Sequence, residues 1–305
     1  MASDGLPATQ VNTPEGVSAP GGSVRYVSMA AGRGTVLGRI DRSDGEVELS
    51  RFLARSWGIP GVAVDGSASG LSGDGRTLVL MRVDNPDPRR RTTMAIVDPA
   101  TLRIADTVTL RGQFGFDAIS PDGRSLYLVQ YRSPRDPKDY AVRAYDARRD
   151  RLLPAEIVDP RKPDEKMQGT PITRTGRPDG RWAYTLYDGS EHPFVHALDT
   201  AAGKAYCIDL DWLSGRPDLY DLRLSLGGPA ARTLTVSKSA KPVALVDTRT
   251  LRASVPKPAD GASADRHSPD GRSWPLLGIA AAALLASVAA AAGVRRRRPP
   301  AHGAA

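Results

Sequence analysis

At 305 residues with 40% hydrophobic content, the chain is long enough for one large folded domain with appendages, and its single cysteine, Cys207, excludes an intramolecular disulfide framework. The net charge of +8 is modest, and the run Arg295 to Arg298 supplies half of it. No recognition helix, zinc-finger spacing or aromatic RNA platform accompanies that charge, so nucleic acid is not an expected partner.

Residues 1–17 read as a polar linker. From Ser18 to Val255 one pattern follows in repeated copies: an apolar half-strand, a tight turn and a second strand. In chain order the turns are Ala19-Pro-Gly-Gly-Ser-Val-Arg-Tyr26, Leu71-Ser-Gly-Asp-Gly-Arg-Thr-Leu-Val-Leu80, Ile119-Ser-Pro-Asp-Gly-Arg-Ser-Leu-Tyr-Leu-Val129, Arg177-Pro-Asp-Gly-Arg-Trp-Ala-Tyr184 and, more weakly, Gly227-Gly-Pro-Ala-Ala-Arg-Thr-Leu234. Each copy carries a second marker further on, an aspartate that ends a strand: Asp41, Asp98, Asp146, Asp199 and Asp247. Asp followed by small polar residues and Gly is a reversal, because the carboxylate accepts from backbone amides ahead of it and Gly takes positive φ. Two reversals per copy mean two hairpins, hence four strands. The intervening residues alternate or run apolar and β-branched, as in Leu126-Tyr-Leu-Val-Gln-Tyr131, with no sustained helical period before Ser273. An all-β chain of four-stranded blades is expected, and blades of this size bury their faces by stacking on one another.

The Ser-Pro-Asp-Gly-Arg turn followed by Leu-Tyr-Leu resembles the WD-like repeats of TolB-type β-propellers. The segment Val97-Asp-Pro-Ala-Thr-Leu-Arg-Ile-Ala-Asp-Thr-Val-Thr-Leu110 is similar to the strand-turn-strand of YVTN-type propellers. The resemblance covers residues 18–255. It implies a β-propeller with five visible units, where better-known members have six or seven. Such propellers include partner scaffolds as well as lactonases and dehydrogenases, so the resemblance does not choose between binding and catalysis. The Ala-, Arg- and Gly-rich usage resembles that of high-GC actinobacteria.

Strand alternation places the loops joining second to third strands on the rim opposite the Asp-Gly turns. Three of these loops are charged: Arg82 to Arg91, with Arg89, Arg90 and Arg91; Tyr131 to Asp139, with Arg132 and Arg135; and Asp188 to Pro193, with Glu191 and His192. Loops held together on a rigid rim are where binding concentrates, so Arg89, Arg90, Arg91, Arg132, Arg135, Asp188, Glu191 and His192 form the first candidate site. The bland alternative is that charge and proline only keep these loops solvated. His192 and His196 would have to converge with Asp188 or Glu191 to hold a metal, and no second cluster has metal spacing, so no metal or cofactor is expected. Aligning the first strands on their turns brings Ser69, Asp117 and Arg174 to equivalent positions, with Arg223 nearby. Lining the central channel, Asp117 and Arg174 are a second candidate site, read either as groups that bind a polar ligand or polarise a carbonyl, or as a salt bridge that closes the ring. Cys207, between Tyr206 and Ile208, reads as a strand residue rather than a reactive thiol.

Residues 256–273 are rich in Pro, Ala, Gly, Asp and Ser and read as a flexible stalk. Trp274 to Val294 carries no charge and is long enough to span hydrocarbon, which takes about 20 residues. The arginines Arg295 to Arg298, in the tail 295–305, put the C-terminus in the cytoplasm and the propeller outside. An exported domain needs a signal peptide, and Met1 to Asn12 has neither a basic nor an apolar region of that kind, so either the true start is expected upstream or the sequence is a nearly mature form. The rival is a cytosolic domain on a tail anchor. Two functions remain: a tethered extracytoplasmic propeller that binds a protein, peptide or envelope glycan, or a propeller hydrolase of lactonase type, or a metal-assisted enzyme, using the central-channel residues with His192 or His196.

Overall fold

The computed structural model describes residues 15–85, 91–133 and 135–257. Arg89, Arg90, most of the stalk, the apolar stretch Trp274 to Val294 and the basic tail lie outside the described residues. The described chain is all-β, with five four-stranded antiparallel sheets in sequence order, the blades of a β-propeller. The first holds β1 (Val17–Ser18), β2 (Val24–Ala31), β3 (Gly34–Asp41) and β4 (Val47–Ala54). The second holds β5 (Trp57–Gly58), β6 (Leu78–Arg82), β7 (Arg91–Asp98) and β8 (Arg103–Arg111). The third holds β9 (Gln113–Ile119), β10 (Ser125–Tyr131), β11 (Tyr140–Asp146) and β12 (Arg151–Glu156). The fourth holds β13 (Gly169–Gly176), β14 (Trp182–Gly189), β15 (Phe194–Asp199) and β16 (Lys204–Asp209). The fifth holds β17 (Arg223–Gly227), β18 (Thr233–Lys238), β19 (Lys241–Asp247) and β20 (Arg252–Ser254).

Turn chemistry sets these hairpins. Asp98 Oδ1 accepts the Ala100 amide at 2.9 Å, Asp146 Oδ1 the Arg148 amide at 3.0 Å, Asp199 Oδ1 the Ala201 amide at 3.1 Å and Asp247 Oδ1 the Arg249 amide at 2.9 Å. Asp74 and Asp122 do the same at the other turns, accepting the amides of Arg76 and Arg124 at 3.0 and 3.1 Å. Gly123 holds φ +71°, and a Cβ there would press on the Thr77 side chain of the preceding blade. Gly123→Val is therefore expected to cost about 2 kcal/mol of stability, the range for a β-branched residue held at positive φ. Chemical denaturation checks this, and an unchanged midpoint would contradict the turn geometry.

The second blade departs from the expected pattern. Its first strand is only two residues, because Pro60, Gly61, Gly66 and Gly70 interrupt the ladder. Residues 59–70 instead fold back through a Gly61↔Ala68 bridge and bond to the fourth blade, Val64 N–H to Pro171 O at 3.0 Å and Asp65 N–H to Ile172 O at 3.1 Å. Ser67 rather than Ser69 therefore meets Arg174, whose backbone N–H donates to Ser67 Oγ at 3.2 Å. Arg223 lies 3.8 Å from Asp65 in the same segment.

Apolar cores run between successive blades. Tyr26, Leu37, Ile59 and Leu78 join the first to the second, and Val79, Met94, Phe116 and Leu128 the second to the third. Ile172, Leu186, Val195, Leu234 and Val236 join the fourth to the fifth. None of these clusters joins the fifth blade to the first among the described residues. Between the third and fourth blades the core is split into two small groups, Ala118, Tyr127, Leu198 and Ala205, and Tyr140, Tyr187 and Phe194. What separates them is the functional candidate.

Candidate functional site

The register of the fourth blade explains the split. Gly176↔Ala183, Ala183↔Leu198 and Leu198↔Ala205 make one cross-strand row, and Tyr187↔Phe194 another. Between them lies the row Arg174↔Thr185, Thr185↔His196 and His196↔Cys207. Side chains on one face recur every second residue, so all three rows face the third blade, and a polar row is sandwiched between two apolar ones.

At the first-strand end of that row Arg174 Nη2 meets Asp117 Oδ1 at 2.6 Å, with side-chain exposures of 6% and 4%. Arg174 also donates to the Asp117 carbonyl. Further along, Thr185 and His196 are each only 1% exposed. The buried side-chain atoms that lack a hydrogen-bond partner among the described residues are Arg174 Nε, Thr185 Oγ1 and both ring nitrogens of His196 in this row, and Asp117 Oδ2 on β9 at its end. Burial pushes the His196 pKa down to about 4, a shift that Asp117 opposes and Arg174 reinforces, so the ring is neutral at physiological pH. Tyr187 stands edge-on to it at 6.0 Å and stacks on Phe194 at 5.2 Å, which fixes the ring between the aromatic row and the strand.

The row opens into a cavity of about 280 Å³ lined by His196, Phe194, Cys207, Ala205, Ile157 and Met167, with Glu191, His192, Lys162, Lys166 and Asp209 toward its polar side. Its wall is the connection from β12 to β13. Asp159, 5% exposed, pins that connection to β16: it accepts the Cys207 amide at 2.9 Å, the Arg161 amide at 2.9 Å and the Arg161 guanidinium at 2.6 Å. Burial alone would raise the Asp159 pKa, but the Arg161 and Cys207 bonds outweigh it and hold the carboxyl below its ordinary value. Lys162 bridges Asp209 and Glu165, 3.0 Å from each, and its pKa rises because of these two bonds. The Cys207 thiol is pushed up to about 12 by burial, reinforced by Asp159, which keeps it in the protonated form.

Of the expected rim residues, Glu191 and His192 reach this cavity. His192 Nε2 sits 3.1 Å from Asp209 Oδ1 and Nδ1 3.6 Å from Asp211. Asp188 instead accepts the Tyr220 hydroxyl at 2.8 Å. Arg132 pairs with Glu156 at 2.5 Å and lines a separate cavity of about 180 Å³ on the far side of the same connection. Arg91 opens β7 exposed, and Arg135 is exposed with its N–H 3.2 Å from Ser133 Oγ. Among the described residues no group of three or more His, Cys, Asp or Glu is placed to hold a metal. Sequence reasoning missed the roles of Asp159, Lys162, Thr185 and Asp209. The available signal was a Thr and a His at matching points of strands that are otherwise apolar, Ala183 to Tyr187 and Phe194 to Leu198.

No family model and no curated protein sequence matches the chain. Solved structures do: Kuenenia stuttgartiensis hydrazine synthase, at 16% identity over 78% of this chain and 64% of that one with a TM-score of 0.44; TolB from Acinetobacter baumannii, at 14% over 76% and 52% with 0.42; and the Cps50 (Swd1) β-propeller domain of Myceliophteria thermophila, at 11% over 77% and 63% with 0.43. The chain spans less than two thirds of each of these. At such scores the likeness carries no argument about activity or ligand.

Proposed function

We propose that this protein is a membrane-tethered, extracytoplasmic binding propeller, and that its ligand enters the cavity between the third and fourth blades. The observation that carries this reading is the cavity itself. A mixed apolar and polar lining converges on one concave site at the long-loop rim, held by the Asp159 and Lys162 clamps on a rigid blade interface. Asp117 and Arg174, the groups a hydrolase would recruit, are committed to each other, and His196 bonds to neither. The tether rests on the uncharged stretch Trp274 to Val294 and the arginines after it. No helix among the described residues is long and apolar enough to cross a membrane.

The test is retention of envelope components on the full chain in nanodiscs, compared between two variants. Ser190→Trp places a large ring at the mouth, on an exposed loop residue, and is expected to cut retention at least tenfold. Serine at Arg89, Arg90, Arg91, Arg132 and Arg135 together is expected to leave it within twofold, with little change in melting temperature, since surface changes stay within about 0.5 kcal/mol each. Loss in the arginine variant and not in Ser190→Trp would move the site to the open rim.

A further inference from the structure

Every blade packs on its neighbour in the chain, but no apolar cluster joins the fifth blade to the first among the described residues, so each of these two has a free face. On the first blade the row Ser28↔Leu37↔Arg51 looks toward the second: Leu37 lies in their shared core, and Arg51 Nε donates to Thr101 O at 2.9 Å. Side chains alternate between the two sides of a sheet, so the rows Met29↔Val36↔Phe52 and Arg25↔Ile40↔Val47 look the other way. No residue of these two rows belongs to a buried apolar cluster, and Phe52, Val47 and Met29 are 60%, 54% and 52% exposed. The Phe52 ring lies over Gly34, where a Cβ would collide with it. Scattered apolar residues on a surface need no explanation, but these share one sheet face, whose charge is Arg25 at a corner.

The free face of the fifth blade has the opposite chemistry. Its residues Leu224, Leu234, Val236 and Val246 are spent on the core shared with the fourth blade, which leaves the rows Ser225↔Thr235↔Leu245 and Gly227↔Thr233↔Asp247 on the free side. Hydroxyls and a carboxylate face water without penalty and make a poor cover for Phe52 and Met29. The matching surface is the same apolar face on a second copy. A two-fold axis through the face sets apolar against apolar, and an isologous contact of this kind closes as a dimer. Its strands β2, β3 and β4 each have eight residues. At about 3.3 Å per residue and about 4.8 Å between strands, the flat footprint is roughly 26 by 14 Å, or roughly 700 Å² for two copies. That is the scale of a transient interface, so the dimer should form and dissociate with concentration.

We propose that the free face of the first blade is the interface of a weak two-fold dimer of this chain, with Val36 near the axis and Met29 and Phe52 to either side of it. The face lies on a different blade from the cavity between the third and fourth, so the dimer and the binding reading are tested separately.

The experiment is sedimentation velocity of the full chain in detergent micelles. The native chain is expected to pass from monomer to dimer between about 1 and about 100 μM, the range for a small interface. Phe52→Glu is expected to weaken the dimer at least tenfold, because it buries an unpaired carboxylate in the contact. Its melting temperature at the lowest concentration should match the native one, since Phe52 is exposed. Thr235→Glu, on the free side of the fifth blade, is expected to leave the dimer unchanged. Mild oxidation then reads the orientation, with the native chain and its single Cys207 as the blank. Val36→Cys is expected to form a disulfide-linked dimer, and Thr235→Cys is not, alone or mixed with Val36→Cys. The proposal is overturned if the native chain stays monomeric throughout, or if Phe52→Glu dimerises like the native chain. Efficient linking of Val36→Cys to Thr235→Cys would overturn it in favour of a head-to-tail array. A monomeric native chain that captures an envelope protein, and loses it in Phe52→Glu, would give the face to a different partner.

Discussion

Arg174→Met is expected to lower the unfolding free energy by about 3–5 kcal/mol, because it leaves the Asp117 carboxylate buried without its cation. Asp117 is 4% exposed and its Oδ2 already lacks a partner, so nothing nearby takes over when the guanidinium goes. The loss reaches beyond the pair, since the Arg174 guanidinium also bonds the Asp117 carbonyl. Removing both charges together, as Asp117→Leu with Arg174→Met, is expected to recover most of the loss. A buried ion pair repays its desolvation only in part, and well-packed apolar replacements are often neutral. Denaturant midpoints of the two single variants and the double variant give the coupling directly. Equal midpoints for native chain and Arg174→Met would contradict a dry, paired interior at this level.

His196→Phe is expected to stabilise the ligand-free protein, and increasingly so in acid. The substitution keeps a planar ring between Tyr187 and the strand while removing two unpaired nitrogens, which gains about 1–3 kcal/mol at neutral pH. The acid effect follows from the His196 pKa of about 4 in the folded state against the ordinary 6.5. Between those values the unfolded chain binds a proton that the folded chain refuses, so the native protein loses stability as pH falls from about 6.5 to about 4, roughly 3 kcal/mol in all. Below that window both states are protonated and the loss is complete. The charged groups acting on the ring are Asp117, Arg174 and Asp159. They are present in native and variant alike, so they cancel to first order in the difference. The gap in unfolding free energy between His196→Phe and the native chain is therefore expected to widen through this window, and a gap that stays constant would show that His196 takes up its proton near 6.5.

The blades were legible in the sequence because their punctuation is local. An aspartate that accepts amides two residues on, as Asp146 does from Arg148, needs no distant partner. Asp117 and Arg174 could be aligned because the repeats are in phase, and in the structure they stand 2.6 Å apart. The second blade misled at its first strand, where Pro60 and the glycines around it redirect the chain into the fourth blade. The cavity was beyond sequence reach for a different reason. Its floor depends on the exact register that puts Arg174, Thr185, His196 and Cys207 in one row, and its wall depends on Asp159 finding the Cys207 amide across a different blade. A run of charge such as Arg132 to Lys138 is conspicuous in a sequence, yet Arg132 is engaged by Glu156, while the chemically unusual residue is one histidine inside an apolar strand.

The most direct test of the central claim is the methionine methyl spectrum of the full chain during titration with solubilised envelope material. The chain contains five methionines, and four of them report on three distinct places. Met167 lines the cavity, Met81 and Met94 lie in the core between the second and third blades, and Met29 is exposed on the first blade. Binding between the third and fourth blades predicts that the Met167 signal shifts saturably while those of Met29, Met81 and Met94 stay in place, and that Ser190→Trp abolishes the shift. Movement at Met29 or in the second-blade core with Met167 unmoved, or no movement at any methionine, would contradict it.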